Sequence, residues 1–208
     1  ATTEKLERSA LRDDCNFFLT LEAGSTNRKP IAFEVPFGME ADPDEPLSHP
    51  QPVQIKLPGC DPFLLKGRID RIDHLPSENR HEVVDYKTGR SLQYKGKKPF
   101  DGGKLVQHAL YSLVAERILE LPPGSVASCY YFPHSRANST RVQFDSPDPA
   151  VLGQILHLVL EPTTTGAFIH TEDFNQNCAY CEFRSACYQN KPENLKAKLN
   201  NPENKLLS

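Results

Sequence analysis

The chain has 208 residues, 38% of them hydrophobic and 25% charged, with no Trp, 18 Pro and a formal net charge of −3. This is enough for one domain with its own core, and it excludes a chain disordered throughout. No apolar run approaches the ~20 residues of a membrane helix, and ATTEKLERSA carries no apolar signal segment. A soluble, cytoplasmic protein is expected, and one that does not bind nucleic acid by bulk charge alone.

Leu6, Ala10, Leu11, Phe17, Phe18 and Leu21 recur at mostly helical spacing and predict a helix over 4–23, ended by Gly24. IAFEVPFG (31–38) reads as a strand, and VQIKL (53–57) as another after a polar, Pro-rich loop. FLLKGRIDRIDHL (63–75) alternates as one long strand that bends at Gly67, and HEVVDYKTG (81–89) pairs with it as a hairpin. A helix over 104–120, strands over 125–133 and 139–145, and a helix over 148–162 capped by Asp148 follow. The order of elements predicts an α/β domain, one mixed β-sheet flanked by helices.

Between the hairpin and the second helix, Lys87, Arg90, Lys95, Lys97, Lys98 and Lys104 stand against Asp101 alone. This segment is either a phosphate-contacting loop or a solvated basic surface. Side chains two apart on a strand share a face, so Asp85 and Lys87 point one way and Tyr86 the other. Asp70, on the preceding strand, converges on Asp85 when the two strands pair. Two carboxylates beside an amine suit a hard divalent cation that keeps waters and takes substrate phosphate. The lysine can orient or help deprotonate a metal-bound water, or offset charge on the phosphate. Gln107, Tyr111, Val114 and Ile118 form one helical stripe, whose tyrosine is either a core aromatic or part of this site.

GRID, then VVDYKTG, then QHALY on a helix together resemble the PD-(D/E)XK nuclease superfamily, its RecB-like branch, and the AddB-like nuclease domain of helicase–nucleases. The resemblance implies a restriction-endonuclease-like fold over residues 1–190, with 191–208 as a polar tail. It implies catalytic roles for Asp70, Asp85, Lys87, Gln107 and Tyr111. The metal, Mg²⁺ or Mn²⁺, would be held by Asp70, Asp85 and the Tyr86 carbonyl. Glu34 in EVPFG stands where the family often carries a strand glutamate, as an auxiliary ligand or an ordinary surface acid. Arg90, Lys95, Lys97, Lys98 and Lys104 would contact DNA, and the partners would be DNA and a helicase or helicase–nuclease subunit. The alternatives are a non-catalytic DNA-binding or scaffolding module of the same fold, and a zinc-binding interaction domain.

Cys178-x2-Cys181-x5-Cys187 places three thiols together in a loop over 174–190, a pattern that points to metal. The resemblance implies a [4Fe–4S] cluster that also takes one cysteine from far upstream; zinc with His170 is the competing assignment. Cys15 falls inside the first predicted helix and reads as a helix residue rather than that upstream ligand, and Cys60 and Cys129 read as loop and core thiols. The family's first motif is a helical G-x-x-x-H, yet no histidine precedes His49. The chain is therefore expected to be a piece of a longer protein, weakly active without that histidine and the first cysteine. Metal analysis of the chain and of a longer polypeptide checks this: iron with acid-labile sulfide and a brown colour are expected in the longer form, whereas zinc alone would support the interaction domain.

Overall fold

A computed structural model of the chain describes residues 2–94, 96, 98–166, 178, 179, 181–183, 193, 196, 197 and 200. The chain divides into two compact units, Ala1–Leu152 and Gly153–Ser208. The first opens with α1 (Thr2–Ala23) and β1 (Lys29–Phe37). It continues through β2 (Val53–Leu57), β3 (Cys60–Leu65), β4 (Gly67–Leu75) and β5 (Arg80–Tyr86). After α2 (Gln107–Ile118) come β6 (Val126–Phe132) and β7 (Thr140–Phe144), and α3 (Pro149–Thr165) leads into the second unit. Asp148 caps α3 as the sequence predicts, accepting from the amides of Ala150 at 2.9 Å and Val151 at 3.3 Å. Within the second unit His157 lies 2.7 Å from Glu161, one helical turn on.

The central sheet runs β1-β4-β5-β6-β7, antiparallel except for the β5/β6 pair. A parallel pair needs a crossover, and α2 supplies it. β6 is buried along its whole length because both faces of the sheet are covered.

The stretch 63–75 is two strands rather than one. β3 turns back on β2 as a separate two-stranded sheet, and β4 starts afresh at Gly67 to join β1 and β5. A Cβ on Gly67 would sit 3.0 Å from the Phe37 ring and 3.3 Å from the Tyr111 hydroxyl, so the absent side chain lets both aromatics close over the start of the strand. The second helix, Gln107–Ile118, is shorter than 104–120, and a separate 3-10 turn at Asp101–Gly103, in which Gly102 takes φ 65°, precedes it.

Alternation sorts β4 to β7 onto two faces. On one, Tyr130, Phe132 and Phe144 cluster beneath α2 and the loop residues Tyr94 and Leu105. On the other, Val84, Cys129 and Tyr131 pack with Phe18 of α1 and Tyr86. Cys129 is buried, and desolvation pushes its thiol up to about 12, so it behaves as a core residue.

This second face also carries a buried charge network. Glu82 is fully buried and accepts from Arg28 Nε at 3.2 Å and Gln143 Nε2 at 2.8 Å, with Arg141 at 3.6 Å. Arg71, 1% exposed, holds Asp73 through two bonds of 2.5 and 3.0 Å and reaches Glu22 of α1 at 2.6 Å. Asp73 and Glu82 are direct cross-strand partners, and like charges opposed in this way are tolerable only because the arginines lie between them. Removing one member of such a network strands its partners in low dielectric. Glu82→Ala is therefore expected to lower stability by ~3–5 kcal/mol in urea denaturation, and Glu82→Gln by less, since the amide still accepts a hydrogen bond.

Candidate active site

Asp70 and Asp85 face one another where the β4/β5 ladder ends. The last paired residues are Arg71 and Val84, so one step further the register sets Asp70 opposite Asp85. There the backbone pairing gives way to a side chain: the Tyr86 amide donates to Asp70 Oδ2 at 2.9 Å. The Lys87 amide continues toward β6, donating to the Tyr131 carbonyl at 2.8 Å. These bonds fix the chain through Asp85, Tyr86 and Lys87.

Asp85 is 5% exposed, and burial is the main reason its carboxyl titrates above the usual carboxylate range. Lys87 opposes that shift and the charge of Asp70 adds to it. The Lys87 ammonium lies 2.5 Å from Asp85 Oδ2 and 4.9 Å from the centre of the Tyr130 ring. Asp85 Oδ2 is buried, and the Lys87 ion pair is its compensation, with no well-aligned hydrogen bond beside it among the described residues. A desolvated carboxylate oxygen of this kind, beside a second carboxylate, fits a small hard cation. Asp70, Asp85 and the Tyr86 carbonyl are the groups that would hold it.

The other predicted residues fall at varying distances from this centre. Glu34 is bracketed by the register pairs Phe33–Arg71 and Val35–Ile69, which sets it opposite Asp70 in the same row as Asp85. Its backbone takes φ 51°, and its carboxylate, 60% exposed, pairs with Arg68 at 3.7 Å. Among the described residues no three His, Cys, Asp or Glu side chains are grouped to bind a metal. Tyr111 packs edge-on against Phe37 at 5.8 Å, with its hydroxyl over Gly67, three residues before Asp70. Gln107 opens α2 and is exposed. Arg90, Lys98 and Lys104 are exposed, and Lys95 and Lys97 lie outside the described residues. A groove of about 1030 Å³ is lined by Lys87 and Thr88, by Glu7, Asp13 and Asp14 of α1, and by His134 and Arg136, so acids and cations share its walls.

Cys178 and Cys181 are joined by a 3.4 Å bond from the Cys181 amide to the Cys178 carbonyl, while Cys187 and His170 lie outside the described residues. Cys15 is an exposed residue of α1. The loop has three thiols where an all-cysteine cubane cluster takes four. Among the described residues no helix is long and apolar enough to cross a membrane.

The family model of the PD-(D/E)XK nuclease superfamily matches residues 2–188. The chain belongs to this superfamily. Its mixed five-stranded sheet with flanking helices is the restriction-endonuclease-like arrangement of the PD-(D/E)XK fold. One relative, from Symbiobacterium thermophilum, is a subunit of an ATP-dependent helicase/deoxyribonuclease and is 39% identical over 111 residues. That match covers 50% of this chain and 9% of the relative. The crystal structure of SSO0001 is similar over 86% of this chain and 70% of its own, at 22% identity and a TM-score of 0.40.

His108, inside QHALY, carries no role in the sequence reading, yet it is buried and stacks on Phe144 at 4.0 Å. Its Nε2 faces the Pro99 carbonyl at 2.8 Å and must donate; Nδ1, 2.8 Å from the Ser128 hydroxyl, then accepts. The neutral ring thus ties the basic loop of this superfamily member to α2 and β6. Only its place between Gln107 and the α2 stripe hinted at burial. Desolvation lowers its pKa below the ordinary value of 6.5. As pH falls through about 6.5 the unfolded chain takes up this proton before the folded one does, so stability present above that pH is lost below it. Urea denaturation at pH 7.5 and 5.5 should show a decline in the wild type that is smaller in His108→Gln.

Proposed function

We propose that this chain is the nuclease domain of a DNA-repair helicase–nuclease, hydrolysing DNA phosphodiester bonds with Mg²⁺ or Mn²⁺. The observation that carries the reading is the strand-end trio: Asp70 opposite a buried Asp85, with the Lys87 ammonium 2.5 Å from it. Membership of a nuclease superfamily and similarity to a helicase/deoxyribonuclease subunit support it.

When bound, a divalent cation supplies Lewis acidity toward the phosphoryl oxygen and lowers the pKa of water. The chain does the rest. Asp70 and Asp85 hold the charge in place, and the Tyr86 amide orients Asp70. Lys87, already partly desolvated against Tyr130, sets a positive charge where negative charge develops on the phosphate. Tyr111 and Gln107 position the strand across the start of β4. Arg90, Lys98 and Lys104, with Lys95 and Lys97, contact flanking phosphates.

We propose further that cutting is exonuclease-type, as suits a domain fed by a motor, and that the chain is part of a longer polypeptide supplying a further metal ligand. Cys178, Cys181 and Cys187 would hold a [4Fe–4S] cluster in that longer form. A second reading, a DNA-binding module without activity, draws on one observation: among the described residues no third side chain joins Asp70 and Asp85.

Lys87→Ala separates the two. In Mg²⁺-dependent cleavage of end-labelled DNA, by the chain and by the longer polypeptide, the variant should be about 100-fold slower or worse. DNA affinity at fixed salt should change little, because the other cations remain. Cleavage at the wild-type rate would remove Lys87 from the chemistry, and an inactive wild type in both forms would favour the binding module.

A further inference from the structure

The residues next to the two carboxylates form a bonded pair of their own. Arg71 follows Asp70 and Tyr86 follows Asp85, so alternation turns both side chains to the face opposite the carboxylates. There Arg71 Nη1 donates to the Tyr86 hydroxyl at 3.2 Å. Arg71 has almost no freedom: it is 1% exposed, forked onto Asp73, and bonded at 2.6 Å to Glu22. The Tyr86 ring is boxed edge-on by Phe18 at 6.1 Å and tilted against Tyr131 at 5.8 Å.

The backbone ladder between β4 and β5 ends at Arg71–Val84, while β4 stays paired to β1 as far as Gly67 and β5 to β6 as far as Tyr86, so beyond that point the contact between the two strands is left to side chains. On the carboxylate side it is made by the Tyr86 amide on Asp70. On the opposite side the closure is the Arg71–Tyr86 bond. The peptides 70–71 and 85–86 are thus held from both faces.

From this geometry we infer that Arg71 and Tyr86 are positioning residues for the metal-binding end: their contact behind the sheet sets the separation and orientation of Asp70 and Asp85 in front of it. The inference rests on the reading of those carboxylates as metal ligands. A residue that orients a ligand in this way typically changes metal affinity by roughly 10- to 100-fold when lost. Glu22 extends the same chain of bonds to α1, so the helix and the carboxylate pair are mechanically linked through one guanidinium. Lysine cannot replace that guanidinium, because a point charge does not make the planar fork onto Asp73 and still reach Glu22 and Tyr86.

Mn²⁺ binding, read by electron paramagnetic resonance of the free ion, tests this in the wild type and in Asp70→Ala, Tyr86→Phe, Arg71→Lys and Leu75→Ala, well below each melting temperature. Tyr86→Phe, which removes one hydroxyl, should weaken Mn²⁺ about 10-fold, and Arg71→Lys at least as much. Leu75→Ala loosens packing at the far end of the same hairpin and should lower the melting temperature without moving Mn²⁺ affinity. In the metal-free protein, amide hydrogen exchange at residue 86 should be faster in Tyr86→Phe than in the wild type. Unchanged exchange and unchanged Mn²⁺ affinity in Tyr86→Phe, with binding lost in Asp70→Ala, would overturn the positioning role and leave the metal site standing. Equal Mn²⁺ affinity in wild type and Asp70→Ala would instead sink the metal reading. Should Arg71→Lys fail to fold, Tyr86→Phe decides alone.

Discussion

The architecture turns on the point where β4 and β5 stop pairing through their backbones and a carboxylate takes over. The bond from the Tyr86 amide to Asp70 Oδ2 replaces a ladder bond with a side-chain one. That substitution ends the β4/β5 ladder while leaving this amide paired, and β4 stays in register with β1 and β5 with β6. The chain can then present Asp70, Asp85 and Lys87 together at an edge that stays defined. Gly67 belongs to the same design, since it lets Phe37 and Tyr111 close over the strand's first residue and brings α2 to the site.

Charge is buried on both faces of these two strands, and the two uses differ. On the back face Arg28, Arg71 and Arg141 match Glu22, Asp73 and Glu82, with nearly every oxygen bonded. Desolvating such a set of charged groups offsets most of their mutual attraction, so the network's value lies in registry: it tolerates no slip of β4 against β5 and ties α1 to the sheet. On the front face the compensation is incomplete. Asp85 has one cation beside it and a second acid opposite. The buried acids of the back face are each met by arginine, whereas on the front face Lys87 meets Asp85 with Asp70 close by.

α1 is largely exposed and meets the sheet through few side chains, chiefly Phe18 and Glu22. Leu6, Leu11 and Leu19 are each more than 60% exposed along it. Its sparse attachment makes the Glu22–Arg71 bond a large part of what locates it, and Arg71 directly follows Asp70 in the chain.

Much of this was legible in one dimension. The alternation of GRIDRID and HEVVDYK declared the hairpin, and the two-residue spacing of Asp85 and Lys87 declared their shared face, because a strand's side-chain period leaves no other choice. The cap at Asp148 was equally local. What the sequence could not decide depended on partners distant along the chain. Whether Arg71 and Asp73 were surface charges or the centre of a buried network turned on Glu22, 49 residues away from Arg71. Whether 63–75 was one strand or two turned on which neighbour each half found, β2 or β1. His108 became a buried, neutral tether only once Ser128 and Pro99 were folded against it. Periodicity fixes which face a residue takes, and only tertiary contact fixes what that face meets; hydrogen-bond satisfaction and desolvation act through the second.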